Sequence, residues 1–181
     1  STNILGRLFR SSKKEDEPLA SPLSTPQSID KKRPLILTDE SIQSAYCMAD
    51  CCHPIPGDDV LGFIDDDGRI IIHQRKCPKA AKIKAAYGNR IVAAQWSTHK
   101  LLHFSVSINI KGIDGVGVVN QITKIISQEL NVNMERILIE AHDGIFDGTI
   151  RLRVHDVDDI KVLCDNLKKL NNVRSVVRID D

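Results

Sequence analysis

The chain has 181 residues, a length that suits one compact domain or two small ones. Its formal net charge is +1, and with 41% hydrophobic but only 4% aromatic residues we expect soluble globular cores built mainly from Ile, Val and Leu. We expect no transmembrane helix, because no apolar run approaches the roughly 20 residues that span a bilayer, and no signal peptide, because the N-terminal residues lack its apolar stretch. We therefore expect a cytoplasmic protein.

The first 44 residues are predicted to form a linker that is largely disordered. Residues 11–34 are rich in Ser, Pro, Lys and acidic side chains, and their few apolar groups cannot offset a backbone ordering entropy of roughly 1–2 kcal/mol per residue. A chain that begins in a linker is expected to be the end of a longer protein.

Residues 45–98 are predicted to fold as a small α/β module. Two strands, Val60–Ile64 and Arg69–His73, flank an Asp-Asp-Asp-Gly turn of the kind that closes a hairpin. A helix then opens at Cys77-Pro78, because proline is favoured at the first helical position, and a Gly-Asn pair ends it. A further strand over Arg90–Trp96 completes the module.

Residues 101–181 are predicted to form a second domain. Alternating apolar residues indicate half-buried strands, and apolar residues at three- and four-residue intervals indicate helices with one buried face. The predicted strand, helix, strand, strand, helix and strand are, in chain order, Leu101–Ile110, Val118–Leu130, Asn133–Ala141, Ile145–Val154, Asp156–Leu170 and Val173–Ile179. Right-handed crossovers fold this order into a four-stranded antiparallel sheet with both helices on one face. The fold class is therefore α+β, with a ferredoxin-like βαββαβ second domain.

The five cysteines are unevenly distributed along the chain. Cys47, Cys51, Cys52 and Cys77 lie in one short segment, whereas Cys164 falls on the apolar stripe of a helix and is expected to pack in the core. In a reducing cytoplasm such a cluster indicates a metal site or reactive thiols rather than a disulfide framework.

The candidate metal ligands are three cysteines and one histidine: Cys51, Cys52, His73 and Cys77. His73 ends a strand and Cys77 begins a helix, so a tight turn would bring them together, and three thiolates with an imidazole make a tetrahedral Zn²⁺ set. Adjacent cysteines share one ion only across a turn, which Pro54 and Pro56 could supply. Cys47 could replace either adjacent cysteine, and the alternative to a metal is buried thiols that pack as small hydrophobes.

At these residues the chain resembles a known family. The string Cys-Cys-x-Pro-x-Pro-Gly-Asp over residues 51–58, a later Gly-x-Ile, an Ile-x-x-His-x-x-x-Cys element ending at Cys77 and an ACT-type domain downstream resemble the C-terminal end of the RelA/SpoT homologues. These enzymes make and hydrolyse the alarmone (p)ppGpp in the stringent response. The resemblance covers roughly Ala45–Asp181 and departs from the family at Arg69, where members usually have a second Gly before the Ile-x-x-His strand.

The resemblance implies a regulatory fragment without catalysis of its own, because the family's hydrolase and synthetase domains lie far upstream and neither is present in this chain. The four candidate ligands match the family's zinc-finger or conserved-cysteine module, which binds zinc in some members and is described without metal in others. That module contacts ribosomal RNA, and the stretch between Asp67 and Asp114, which contains no acidic residue, fits such a partner. The alternative is a solvated helix face, and the candidate RNA-binding residues are Arg75, Lys76, Lys79, Lys82, Lys84 and Arg90.

The segment Asp114-Gly115-Val116-Gly117 resembles the ACT signature Asp-Arg-x-Gly-Leu-Leu at the junction of the first strand and first helix. The resemblance implies a bound amino acid, because a small residue at Gly117 lets backbone N–H groups at a helix N-terminus approach a carboxylate. Gly115 stands where the family often has Arg, so one cation that would assist is absent from the sequence. Alternatively, the same glycines only form the strand-to-helix turn.

Two functions are therefore compared. In the first, the chain controls the catalytic domains of a (p)ppGpp synthetase/hydrolase by docking on the ribosome or on those domains, while the ACT domain senses a ligand or forms a homodimer. In the second, it is a stand-alone zinc- or thiol-dependent enzyme with Cys51, Cys52 or Cys77 as nucleophile and His73 as base. A base of this kind needs a third group to orient it, and the sequence offers none, so we expect the first function.

Overall fold

The computed structural model describes residues 29–180, which form two α+β domains joined by residues 98–103. Each domain has its own β-sheet. Within the described range, no helix is both long and apolar enough to cross a membrane. The linker predicted for residues 1–44 lies outside the described residues over its first 28 positions.

The first domain is built on a five-stranded sheet. Its elements are β1 (Leu35–Thr38), α1 (Asp39–Ser44), β2 (Tyr46–Met48), β3 (Val60–Ile64), β4 (Ile70–Gln74), α2 (Pro78–Tyr87) and β5 (Ile91–Ser97). The strand order is β1-β5-β3-β4-β2, in which β3 is antiparallel to β4 and β5, whereas β1 and β2 pair in parallel with β5 and β4. The predicted hairpin, helix and final strand are present, and β1 and β2 are strands that the sequence pattern does not predict.

The predicted linker needs a correction, because residues 35–44 form β1 and α1. β1 pairs with β5, and its Leu37 side chain is fully buried. Thr38 then caps α1: its hydroxyl oxygen accepts the Ser41 N–H at 3.1 Å, and the Ser41 hydroxyl oxygen accepts the Thr38 N–H at 2.8 Å. A four-residue strand that is stable only against a distant partner leaves little trace in the local pattern.

The second domain is a four-stranded sheet covered by two helical segments. Its elements are β6 (Phe104–Ile113), α3 (Val118–Thr123, continuing as a π-helix over Lys124–Glu129), β7 (Asn133–His142), β8 (Ile145–Val154), α4 (Val157–Lys168) and β9 (Val173–Ile179). The strand order β7-β8-β6-β9 is antiparallel throughout, which confirms the predicted ferredoxin-like arrangement.

The apolar stripes of both helical segments pack with one face of this sheet in a single core. Strand alternation places three β6 side chains in that core, each at most 3% exposed: Val106, Ile108 and Ile110. Cys164 lies in the same core, as its position on the apolar stripe of α4 predicts. α4 begins after Asp156, whose carboxylate accepts the Asp159 N–H at 3.0 Å.

Candidate metal centre and basic surface

The four candidate metal ligands come together in the first domain. Cys51, Cys52, His73 and Cys77 each offer one ligand atom, and these atoms all lie within 4.8 Å of one another. The Cys51 Sγ is 3.4 Å from the His73 Nδ1, 3.6 Å from the Cys77 Sγ and 3.9 Å from the Cys52 Sγ. Two sulfurs that each lie about 2.3 Å from a tetrahedral zinc ion are about 3.8 Å apart, so the donor set and its spacing fit Zn²⁺.

The adjacent cysteines can share one site because they lie in a turn. Residues 50–52 form this turn, and the His53 N–H closes it on the Ala49 carbonyl oxygen at 3.0 Å. His53 has a left-handed backbone, with a φ of 42°. The turn thus precedes Pro54 and Pro56, which corrects the expectation that these prolines supply it.

His73 and Cys77 meet across the predicted strand-to-helix junction. His73 lies in β4, and Cys77 is the N-cap of α2. The Cys77 N–H donates to the Gln74 carbonyl oxygen at 3.0 Å, which closes the connection, and Pro78 occupies the first turn of the helix. This junction therefore holds an imidazole and a thiol on the same side of the domain as the cysteine turn.

The three thiols differ in how readily they ionise. Burial raises the pKa of the Cys52 thiol to about 12, and burial together with the neighbouring Cys77 raises the pKa of Cys51. Burial also acts to raise the pKa of Cys77, but hydrogen bonds from backbone N–H groups of α2 and from the Cys51 thiol outweigh it, so this pKa is lowered. Burial and the charge of Lys79 lower the pKa of His73, which favours the neutral imidazole that binds metal.

Gln74 is a residue of the site that the sequence does not single out. Its backbone N–H donates to the Cys52 Sγ at 3.3 Å, and its side-chain amide donates to the Cys52 carbonyl oxygen. The one signal in the sequence is a polar side chain directly after His73 at the end of an apolar strand. Cys47, by contrast, lies exposed on β2 and is not among the four clustered residues.

The basic surface lies on and beside α2. Lys76, Lys79, Lys82 and Lys84 are all exposed, and none of them takes part in a salt bridge between described residues. Lys79 and Lys82 are three positions apart in the helix, so they lie about 60° apart around its axis and share one face. Lys84 projects from the other flank of α2. Helix geometry thus places Lys79 and Lys82 on one face of α2 and Lys84 on the other flank. Of these lysines, Lys79 lines the same cleft as Cys51 and Cys77.

The two candidate arginines are paired within the domain. The Arg75 Nε lies 2.9 Å from an Asp59 carboxylate oxygen, whereas Arg90 pairs with Asp66 and lies 5.6 Å from the centre of the Tyr87 ring. Exposed ion pairs of this kind contribute little to the stability of a fold, because water and salt screen the two charges. A phosphate group can therefore compete with these carboxylates for the guanidinium groups.

The candidate amino-acid loop, Asp114–Gly117, forms a tight turn before α3. Gly117 is the N-cap of α3 and has a left-handed φ of 80°, a conformation that favours glycine. The Asp114 N–H donates to the Gly144 carbonyl oxygen at 2.9 Å, which ties the loop to the β7–β8 hairpin. A cleft of about 300 Å³ lies at the opposite end of the sheet, between His103, His155 and Val162. The loop residues do not line that cleft.

The fold and the cluster together define the class of protein: a cysteine/histidine module followed by a ferredoxin-like domain. The family comparison matches residues 36–97 to the RelA/SpoT RIS domain and residues 101–178 to the ACT domain. The chain belongs to the RelA/SpoT family, and it represents the regulatory region of that family. The resemblance seen in the sequence is thereby confirmed.

Named relatives agree with this assignment. The chain is 28% identical over 153 residues to the GTP pyrophosphokinase of Escherichia coli, which covers 84% of this chain and 20% of that protein. It is 22% identical over 132 residues to the bifunctional (p)ppGpp synthase/hydrolase RelA of Mycobacterium tuberculosis, covering 73% of this chain and 18% of that protein. The chain therefore spans about a fifth of the length of the curated relatives it matches.

Among solved structures, the ACT domain from the GTP pyrophosphokinase of Chlorobium tepidum is 36% identical to this chain. The match covers 43% of this chain and 100% of that one, with a TM-score of 0.40.

Proposed function

We propose that this chain is the regulatory region of a (p)ppGpp synthetase/hydrolase and that it controls catalytic domains rather than performing chemistry itself. The observation that carries the proposal is the match to a RIS domain and an ACT domain in tandem, across residues 36–178. Relatives named GTP pyrophosphokinase and (p)ppGpp synthase/hydrolase support a role in guanosine tetraphosphate metabolism and the stringent response. The catalytic domains of the parent protein are then the first partner of this region.

In this proposal the cysteine/histidine cluster holds a structural zinc ion. Cys51, Cys52, His73 and Cys77 supply four protein ligands, so no position is left for a substrate or an attacking water. Such an ion contributes folding free energy, because it links a turn, a strand and a helix that the small core holds only weakly. The core around the cluster contains few large side chains, with Leu61 beside alanines and cysteines.

The basic surface is the proposed contact with ribosomal RNA. Lys76, Lys79 and Lys82 support this role because they are exposed and have no acidic partner among the described residues, and Lys79 and Lys82 share one face of α2. Arg75 and Arg90 extend the surface once their exposed carboxylate partners are exchanged for phosphates. Lys84 is a weaker member of the set, since it projects from the other flank of α2.

The ACT domain is the proposed sensing or assembly element. Four large apolar side chains are exposed around the Asp114–Gly117 loop: Ile113, Val116, Val119 and Ile145. Their exposure supports a contact at this end of the domain, with an amino acid, a second copy of the chain or the parent's catalytic domains.

The alternative of a stand-alone thiol enzyme is not favoured by the site. His73 faces the Cys51 thiol, but among the described residues no carboxylate hydrogen-bonds to its imidazole. Burial holds the pKa of Cys52 at about 12, so this thiol is a poor nucleophile near neutral pH. The four groups are arranged to share one ion rather than to attack a substrate.

Ribosome association tests the proposal. The double substitution Lys79→Glu and Lys82→Glu is expected to weaken binding of the chain to bacterial ribosomes strongly, because it replaces two phosphate-neutralising charges on one helix face. The slope of log affinity against log salt concentration should fall by about 0.7–0.9 for each lost phosphate contact. Co-sedimentation at several salt concentrations measures both quantities.

The matched control is Lys161→Glu with Lys168→Glu, which makes the same change of charge at exposed positions of α4. This control is expected to bind ribosomes as the wild type does. Wild-type binding by the α2 variant would remove RNA docking from the proposed function, and equal losses in both variants would reduce it to non-specific charge attraction.

A further inference from the structure

The segment that leaves the cysteine cluster crosses directly to the ACT domain. We call this segment, His53–Asp58, the clasp. Pro54, Ile55 and Pro56 are all buried, and Ile55, at 1% exposed, belongs to the hydrophobic core of the ACT domain although it precedes that domain by many residues. The sequence string that marks the family therefore contains two of the four candidate metal ligands, Cys51 and Cys52, together with Ile55 from the core of the ACT domain.

A desolvated ion pair fixes the clasp on the ACT sheet. The Arg178 guanidinium, on β9, donates to both carboxylate oxygens of Asp58, at 2.7 and 2.9 Å, and to the His53 carbonyl oxygen at 3.0 Å. The two side chains are only 16% and 10% exposed. Because removal of one partner would leave the other charge buried and unpaired, this contact holds the clasp in one position.

Backbone contacts make the fit of the clasp specific. The Val157 N–H lies in the first turn of α4, where N–H groups have no acceptor within the helix, and it donates to the Pro56 carbonyl oxygen at 3.0 Å. Gly57 has a φ of 97°, and a Cβ added there would lie 2.2 Å from a Val157 methyl carbon. The clasp thus caps a helix of the ACT domain and comes too close to it for any side chain.

The clasp also contacts the first domain. Cys52 directly precedes the clasp, and both its Sγ and its carbonyl oxygen accept hydrogen bonds from Gln74. The indole N–H of Trp96, the single tryptophan of the chain, donates to the Asp58 carbonyl oxygen at 2.9 Å. Any rearrangement of the Cys51-Cys52 turn must therefore move atoms that the ACT domain also binds.

We propose that the clasp couples the state of the cysteine/histidine cluster to the position of the ACT domain, so that the two domains act as one regulatory unit. With the cluster intact, the turn at residues 50–52 aims the clasp at α4 and β9. With the cluster opened, the clasp loses its fixed end and Ile55 leaves the ACT core. The coupling is reciprocal, so a change in the ACT domain alters metal affinity. The part of this proposal that concerns metal affinity rests on the proposed zinc site.

Hydrogen exchange at the Val157 amide is the first test. In the zinc-loaded chain this amide is expected to be protected, and chelation should speed its exchange at least about fivefold. The Ile150 amide, inside the β6–β8 ladder, is the internal control and should be unaffected. Trp96 fluorescence should change with the same midpoint as the Val157 exchange when zinc is titrated.

The reciprocal test places a substitution in the ACT domain and reads zinc affinity. Arg178→Ala is expected to weaken zinc binding at least about fivefold although it touches no ligand. Arg178→Lys, which keeps the charge but loses the two-pronged geometry, guards against misfolding and should weaken zinc binding by a smaller factor. Arg174→Ala, at an exposed position of the same strand, should bind zinc as the wild type does.

The results separate failure of the coupling from failure of the metal site. One bound zinc per chain, with Val157 exchange insensitive to chelation and wild-type affinity in both Arg178 variants, would overturn the coupling and leave the metal site standing. A folded wild-type chain that binds no zinc would overturn the link between zinc binding and the ACT domain. Coupling between the cluster itself and the ACT domain is then tested by Cys52→Ser, which should speed exchange at the Val157 amide even without zinc. Unchanged exchange in that variant would overturn the coupling altogether.

Discussion

At the scale of single residues, the chemistry of the cluster depends on which neighbours each thiol has. Cys52 is enclosed by the core, so its pKa rises to about 12, whereas Cys77 faces backbone N–H groups of α2 and has a lowered pKa. Cys51 and Cys77 also line a cleft open to solvent, beside Lys79. Binding of the proposed zinc ion would therefore have to displace a proton from the Cys52 thiol, whereas the Cys77 thiol gives up its own proton more readily.

Alkylation of the thiols tests this difference. In the metal-free chain at pH 8, iodoacetamide should label Cys77 well before Cys52, because the thiolate is the reactive form. Zinc should protect Cys51, Cys52 and Cys77 together, while exposed Cys47 should react at the same rate with and without zinc. A mass-spectrometric time course measures each site. Equal rates at Cys52 and Cys77, or zinc protection of Cys47 as well, would contradict the assignment.

At the scale of elements, β1 shows how a short strand can be decisive. Its Leu37 side chain is fully buried with Val60 and Ile72, whereas the preceding residue, Ile36, lies on the opposite face and is 48% exposed. The strand adds an edge to the sheet through parallel pairing with β5. The first domain therefore needs residues that the composition of the N-terminal segment alone would assign to a linker.

Leu37→Ala is expected to lower the free energy of unfolding by about 2–5 kcal/mol, since it leaves a cavity in the core of the first domain. Ile36→Ala, on the exposed face of the same strand, should change it by no more than about 0.5 kcal/mol. Chemical denaturation of the two variants measures the difference. A small effect at both positions would show that β1 does not belong to the folded domain.

The turn before α3 is the second element whose role can be isolated. Gly117→Ala is expected to destabilise the chain by about 1 kcal/mol, because alanine resists the left-handed backbone at this position. Gly88→Ala is the control: its φ of −56° is helical and its surroundings are open, so alanine should be neutral or slightly stabilising. Thermal unfolding compares them, and wild-type stability in Gly117→Ala would contradict the turn geometry.

At the scale of the whole molecule, the two domains meet through side chains that are far apart in sequence. Trp96 and Phe104 pack edge to face across the end of the connecting segment, with ring centres 6.2 Å apart. Asp58 and Arg178 form the buried ion pair, and Ile55 fills part of the ACT core. The cysteine/histidine cluster and the ACT domain are therefore neighbours in space rather than separate units on a flexible tether.

Gly57→Ala is expected to divide thermal unfolding of the chain into two transitions, because its Cβ would strike Val157 and push the clasp off α4. Gly68→Ala places the same kind of strain in the β3–β4 turn, where a Cβ has open space, and should leave one transition at a slightly lower temperature. Differential scanning calorimetry distinguishes them. A single wild-type-like transition in Gly57→Ala would show that the domains unfold together without the clasp.

The sequence by itself determined the ACT fold and the names of the four clustered residues. Periodicity within segments such as Ile145–Val154 is a local signal, and the strand-to-helix junction between His73 and Cys77 is only a few residues long. Tertiary structure alone decided that residues 35–44 belong to the first domain, that the turn lies before Pro54, and that Asp58 meets Arg178. The physical reason is separation along the chain: the partners of that ion pair are 120 positions apart, and no local pattern of charge or hydrophobicity reports which distant residue a buried group will meet.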